Sequence, residues 1–252
     1  MKVVPGTTLL LLAGLLCNPS WAASCHPIPK LSDWAGQGIG LDLHNTRYQR
    51  NADLYSDNVQ NLEVAFVFGL DGGDSPHSWF EVSSDTLFIA SPGGVVYALD
   101  RETGCVRWQR RYEEGIRTGL VRGELHGGLQ ALWFGTRSGY VWAIDARQGD
   151  VLWKADTKEH PSNMLTGTPS FADGVLYVPI SSMELGLAIN PLYGCCTSRG
   201  SLIALDAATG KAMWRTPVID ESPQVSGRHF LFVEQWGPSG APVWSAPTID
   251  SE

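Results

Sequence analysis

One phrase recurs three times in this chain and constrains its fold more than any single residue does. It reads Ala98-Leu99-Asp100, then Gly104 and Trp108; Ala143-Ile144-Asp145, then Gly149 and Trp153; and Ala204-Leu205-Asp206, then Gly210 and Trp214. The frame is Ala-aliphatic-Asp, a gap of three, Gly, a gap of three, Trp. An internal repeat of this kind specifies stacked copies of one supersecondary unit. Asp and Gly are turn formers and Trp is a large apolar anchor, so each phrase predicts two strands joined by a tight turn. The tryptophans lie 45 and then 61 residues apart. A spacing of about 40–45 residues is that of a four-stranded propeller blade, and the longer third unit holds an insertion.

Strand-like runs precede each phrase: 86–90, 131–135 and 175–179, all rich in β-branched or aromatic residues and closed by Gly, Ser or Pro. Past the first two dozen residues no stretch has a helical period. The expected fold is therefore all-β, a propeller of about three blades plus the start of a fourth. A closed ring of seven or eight blades would need about 300–360 residues at this period. The chain has 252, and Thr248 to Glu252 reads like the first strand of another blade, so the sequence reads as a partial propeller.

Residues 1–23 are expected to be a secretory leader: Lys2, an apolar run from Thr7 to Cys17, and small residues around Ala22 and Ala23. The run is too short to span a membrane. Residues 24–252 then form the partial propeller. Export implies an oxidising compartment, secreted or periplasmic. Eighteen Lys and Arg against 26 Asp and Glu give a net charge of −8, without a basic stripe, which argues against nucleic-acid partners. No Cys-x-x-Cys-His is present, so the chain carries no c-type haem of its own.

Residues outside the repeat carry a family resemblance. Trp34 with Asn45 to Gln49 and Asn58 to Val64, Val178 to Ser201 with its adjacent cysteines, and Trp236 to Asp250 are similar to the quinoprotein dehydrogenases. These are propellers that hold pyrroloquinoline quinone (PQQ) on their axis, and the similarity is strongest to the polyvinyl-alcohol dehydrogenase branch. The resemblance implies alcohol oxidation with PQQ and Ca²⁺, and a cytochrome c as electron acceptor. It also extends to cofactor-free PQQ-repeat propellers that serve as scaffolds for protein contacts, which is the competing expectation.

The resemblance assigns roles to particular positions. Ser181-Ser182-Met183-Glu184-Leu185-Gly186 matches the family's Ser-x-x-Glu-Leu-Gly, which implies Glu184 as a calcium ligand with Ser181 beside the cofactor. A hard cation prefers such a carboxylate oxygen. Thr166 falls where a hydroxyl meets a PQQ carboxylate, and Arg117 where a guanidinium meets the quinone; a planar fork recognises such oxygens well. Trp244 falls where an indole stacks on the flat ring system. Cys195 and Cys196 resemble the vicinal cysteines that cover the quinone, although here they sit in a later insertion, 187–198. They form either a vicinal ring, with Cys25 paired to Cys105, or separate bonds to Cys25 and Cys105. His77 stands where related chains carry an acidic or basic pocket residue and reads as structural, and 78–81 does not look like an ordinary first strand. The family's second calcium-ligating Asn and its general-base Asp lie beyond the region present, so no catalytic base is expected here and the chain alone is expected not to turn over alcohol.

Overall fold

The structure is a computed structural model that describes residues 25–28, 30–49, 52–72, 77–112, 115–229 and 232–250. The expected leader, 1–23, lies outside the described residues. Among those described the architecture is all-β, built of consecutive antiparallel meanders. The first sheet runs in order through β1 (Glu81–Val82), β2 (Thr86–Ala90), β3 (Val95–Asp100) and β4 (Val106–Arg111). The second runs through β5 (Val121–Leu125), β6 (Leu129–Gly135), β7 (Tyr140–Asp145) and β8 (Val151–Asp156). In the third, β9 (Asn163–Met164) pairs with the end of β11, beside the path β10 (Ser170–Ala172), β11 (Val175–Ser182), β12 (Ser201–Asp206) and β13 (Ala212–Pro217). A helical turn, α1 (Glu184–Leu187), follows β11, and a hairpin of β14 (Gln224–Arg228) and β15 (Glu234–Gly237) follows the third sheet. No helix among the described residues is long and apolar enough to cross a membrane.

The repeated phrase forms the turn between the third and fourth strands of each sheet. The Asp100 carboxylate accepts from the Thr103 N–H (2.9 Å) and hydroxyl (2.8 Å), and Asp206 accepts from Thr209 in the same way. The glycine that closes each turn has a positive φ, +73° at Gly149 and +71° at Gly210, and each turn ends in a register shift. Glycine is required there twice over. A side chain would be strained at that φ, and a Cβ at Gly149 or Gly210 would lie 2.9 or 2.5 Å from the Trp ring of the preceding sheet.

That contact is the joint between sheets. Trp108 donates its indole N–H to the Ala146 carbonyl (3.1 Å), and Trp153 donates to Ala207 (3.0 Å), each reaching the turn of the next unit. Strands β3, β7 and β12 bury residues on both faces, because each middle sheet face meets a neighbour. One apolar cluster joins the first and second sheets, and another joins the second and third. The outer face of the first sheet is covered by Phe66, Phe68 and Leu70, alternate residues of an extended segment. A disulfide between Cys25 and Cys105 fixes the N-terminal segment to the start of β4.

Candidate cofactor site

Four elements meet at one end of the third sheet. The end of β11 carries Ser181, which is buried and pairs across the strands with Met164 of β9. Two residues past β9 the chain reaches Thr166. Arg117 comes from the link between β4 and β5, where its neighbour Ile116 is bridged to Thr136. Trp244 comes from the C-terminal segment, which is tied to β11 by the Val243 N–H donating to the Ile180 carbonyl (3.2 Å). The close approach of that segment depends on Gly167, where a Cβ would sit 2.7 Å from Pro179 and 2.9 Å from the Trp244 carbonyl.

Arg117, Thr166, Ser181 and Trp244 together line a cavity of about 270 Å³. That is near the lower bound of small-molecule sites, roughly 300–1,000 Å³. The Trp244 indole N–H donates to the Ser181 hydroxyl (2.8 Å), so Ser181 holds the ring while 65% of the residue stays exposed. The Thr166 hydroxyl is buried and has no hydrogen-bond partner among the described residues. Arg117 is half-buried and makes no hydrogen bond or ion pair with them. A buried hydroxyl and a guanidinium left without partners are costly unless something else satisfies them. Oxygen acceptors on a flat, anionic molecule would satisfy both beside an open indole face, so these residues fit PQQ.

His77, read as structural in the sequence, also lines this cavity, as do Met164, Ser182 and Met183, which carried no sequence signal of their own. Their only clue was position: Met164 and Ser182 belong to the β9–β11 pairing, and Met183 follows it.

Glu184 follows Met183 on α1 but does not line the cavity. Its residue is only 1% exposed, and both carboxylate oxygens are taken. They accept from the Thr197 N–H (2.8 and 3.0 Å), the Ser198 N–H (2.6 Å), the Thr197 hydroxyl (3.1 Å) and the Tyr193 hydroxyl (3.0 Å). Burial pushes its pKa up, yet these bonds from Ser198, Thr197 and Tyr193 outweigh it and hold the carboxyl at about 2. His160 extends the network: Nδ1 accepts from the Ser162 N–H (3.1 Å), which leaves the proton on Nε2 facing the Thr197 hydroxyl (2.9 Å). No group of three or more His, Cys, Asp or Glu side chains able to hold a metal occurs among the described residues. As it stands, Glu184 is the anchor of the insertion and does not fit the expected calcium.

Cys195 and Cys196 form a vicinal disulfide, which settles the pairing left open by the sequence. They do not line the cavity. Their backbone is held on β15, where the Trp236 N–H donates to the Cys195 carbonyl (2.8 Å). The structure thus does not bring these cysteines to the lining that Arg117, Thr166, Ser181 and Trp244 form.

The family model described as outer membrane protein assembly factor BamB, PQQ_2, matches residues 71–195 and 137–240. A polyvinylalcohol dehydrogenase from Pseudomonas sp. is 37% identical over 220 residues, which cover 86% of this chain and 34% of that protein. Another from Sphingopyxis sp. (strain 113P3) is 36% identical over 240 residues, covering 92% and 36%. The chain thus spans about a third of the length of these curated relatives. Among solved structures, quinohemoprotein alcohol dehydrogenase from Comamonas testosteroni superposes with a TM-score of 0.58 at 24% identity, over 71% of this chain and 26% of that one. A europium-containing methanol dehydrogenase does so with a TM-score of 0.58 at 22% identity, over 77% and 33%. These two likenesses concern the fold. The repeat and the sequence identity together place this chain in the PQQ_2 repeat family and, within it, among the quinoprotein alcohol dehydrogenases to which the polyvinylalcohol dehydrogenases belong.

Proposed function

We propose that this chain is the cofactor-gripping part of a PQQ-dependent alcohol dehydrogenase of the polyvinylalcohol dehydrogenase type. Its three sheets are then successive blades of a propeller, 24–252, preceded by the leader 1–23 and working in the periplasm or outside the cell. The observation that carries the reading is the convergence of Arg117, Thr166, Ser181 and Trp244 on one cavity, with two of them lacking polar partners among the described residues. A scaffold for protein contacts has no need of that arrangement.

Each residue has a distinct task. Arg117 supplies two parallel N–H donors to a carboxylate or quinone oxygen. Thr166 donates a hydroxyl proton to a second oxygen. Trp244 offers its indole face for stacking, and Ser181 fixes the plane of that ring through its hydroxyl. When bound, PQQ supplies two-electron oxidation of an alcohol. The electrons would pass to a cytochrome c. The calcium implied by the resemblance does not fit Glu184 as the carboxylate is engaged.

The test is PQQ titration of the purified chain, followed by quenching of tryptophan fluorescence. Wild type should bind, and Arg117→Ala should bind about tenfold to a hundredfold more weakly, the loss expected for a hydrogen bond to a charged group. Arg117→Lys should recover only part of the affinity, because it keeps the charge and loses the fork. Equal affinity in wild type and Arg117→Ala would remove the assignment.

A further inference from the structure

Arginines gather where the first two sheets are joined, in a chain whose net charge is −8. Arg107 and Arg110 belong to β4, and Arg147 stands on the turn between Asp145 and Gly149. The three line a cavity of about 470 Å³ that has no Asp or Glu on its lining. Arg110 is also a wall of a second cavity, of about 540 Å³, which Lys154 and Trp142 line as well. Asp150, in the second cavity, is the one carboxylate on either lining. Both volumes fall within the range of small-molecule sites, roughly 300–1,000 Å³. Neither cavity shares a residue with the lining that Arg117 and Trp244 form.

Each cavity holds a buried side chain with an N–H donor left over. The Arg107 side chain is 7% exposed; its Nη2 reaches Asp100 (2.8 Å) and Asp85 (3.4 Å), while its Nε has no partner among the described residues. Trp142 is 9% exposed, and its indole N–H is unpartnered in the same way. A buried donor in that state is costly until an acceptor reaches it. The exposed Arg147 guanidinium makes no hydrogen bond or ion pair with the described residues, and that of Arg110 donates only to the neighbouring Gln109 carbonyl (3.1 Å). No buried acceptor on either lining lacks a partner, so what the cleft leaves unsatisfied is all donor. We propose that it binds a small anion carrying at least two carboxylate or phosphate groups, one between Arg107 and Arg147 and the other beyond Arg110, towards Lys154 and the Trp142 N–H. A guanidinium fork takes either oxyanion in two parallel N–H bonds. Cations massed along one cleft also draw anions to it from solution. The cleft straddles the joint at which Trp108 donates to the Ala146 carbonyl, so the bound anion braces β4 against the turn of the second sheet.

The test is isothermal titration calorimetry of the whole chain, with citrate as the carboxylate probe and pyrophosphate as the phosphate probe. It is run at about 150 mM NaCl, where attraction to scattered surface charge is largely screened. Wild type should bind one equivalent, and the tighter of the two probes identifies the oxyanion. Arg110→Ala/Arg147→Ala should weaken binding about tenfold to a hundredfold, the loss expected for hydrogen bonds to a charged group. Arg147→Gln, which alters one exposed side chain and leaves the fold alone, should weaken it by a smaller factor. The bound probe should also raise the urea midpoint of wild type and not that of the double variant, as a ligand of the folded state does. Binding of neither probe, or equal binding in wild type and both variants, would overturn the site. Poly-glutamate that binds where citrate and pyrophosphate do not would overturn it too, because the cleft would then be a docking surface for an acidic protein.

Discussion

Glu81 and Glu184 are buried to nearly the same depth, 3% and 1% exposed, and hold their protons in opposite ways. Glu81, at the start of β1, has one strong donor, the Gly38 N–H at 2.5 Å, and Arg122 at 4.0 Å. Burial dominates there and pushes its pKa up to about 8. Burial pushes Glu184 up as well, though less strongly, and the donors of Ser198, Thr197 and Tyr193 bring it down to about 2. Depth alone therefore does not decide the charge of a buried carboxyl; the number of donors aimed at it does. One glutamate joins the N-terminal segment to the first sheet, nearly neutral. The other closes a loop beside the cofactor cavity as a full anion.

Removing the anion should have the larger effect. Glu184→Gln replaces an acceptor oxygen with an NH₂ group that faces N–H donors, leaving at least one buried donor unsatisfied. The expected loss is about 2–3 kcal/mol in urea unfolding at pH 7. Hydrogen exchange at the Thr197 and Ser198 amides should accelerate together, since both lose the same acceptor. Unchanged protection at those two amides would show that the insertion is held by something else. Calcium titration of wild type sharpens the same point: stoichiometric Ca²⁺ binding that Glu184→Gln abolishes would return Glu184 to the role of a ligand.

Glu81→Gln should act in the opposite direction. A carboxyl with a raised folded pKa binds its proton more tightly in the folded state than in the unfolded one. Its contribution is thus fully present below its ordinary value of 4.5 and is lost as pH rises through about 8. The Gln variant, neutral at every pH, should be close to wild type near pH 4.5 and increasingly more stable than wild type as pH rises to 8. Glu184 supplies the acid limb. Its depressed pKa gives stability that is present above 4.5 and disappears as pH falls towards 2. Urea midpoints across pH 3 to 9 would separate the two limbs, with each variant flattening one of them.

The contrast between these glutamates also marks what the sequence made legible. The sheets and their joints were written in a local code. Asp, Gly and Trp fall within nine residues of one another, and Asp100, Gly149 and Trp153 take up the roles their types suggest. The same code explains Trp214: with no further turn beyond it among the described residues, it is 44% exposed, where Trp108 is 8% exposed. Arg117, Thr166, Ser181 and Trp244 were found because family motifs name them one by one, and the fold gathers them from separate segments. The donors of Glu184 could not be found that way. They lie nine to fourteen residues downstream, in an insertion without periodicity whose path depends on backbone N–H groups that every residue but proline possesses. For the same reason the sequence did not show that the backbone of the cysteines pairs with β15. The short first strand was hidden too, because only Glu81 and Val82 pair with β2.

Tyr193→Phe is the mildest way to probe the donor count, since it removes one bond to Glu184 and leaves the backbone donors in place. The phenol bond is one of the causes that depress the carboxyl, so its loss should raise the Glu184 pKa towards the ordinary range without restoring it. The expected cost at pH 7 is about 1 kcal/mol or less. The more telling readout is the acid limb, which should begin its fall at a higher pH than in wild type while the alkaline limb, governed by Glu81, stays where it was. An acid limb shared by Tyr193→Phe and wild type would mean that the Thr197 and Ser198 amides alone hold the anion. A shift of both limbs would mean that the two glutamates are coupled through the sheets, and the contrast between them would no longer be a local one.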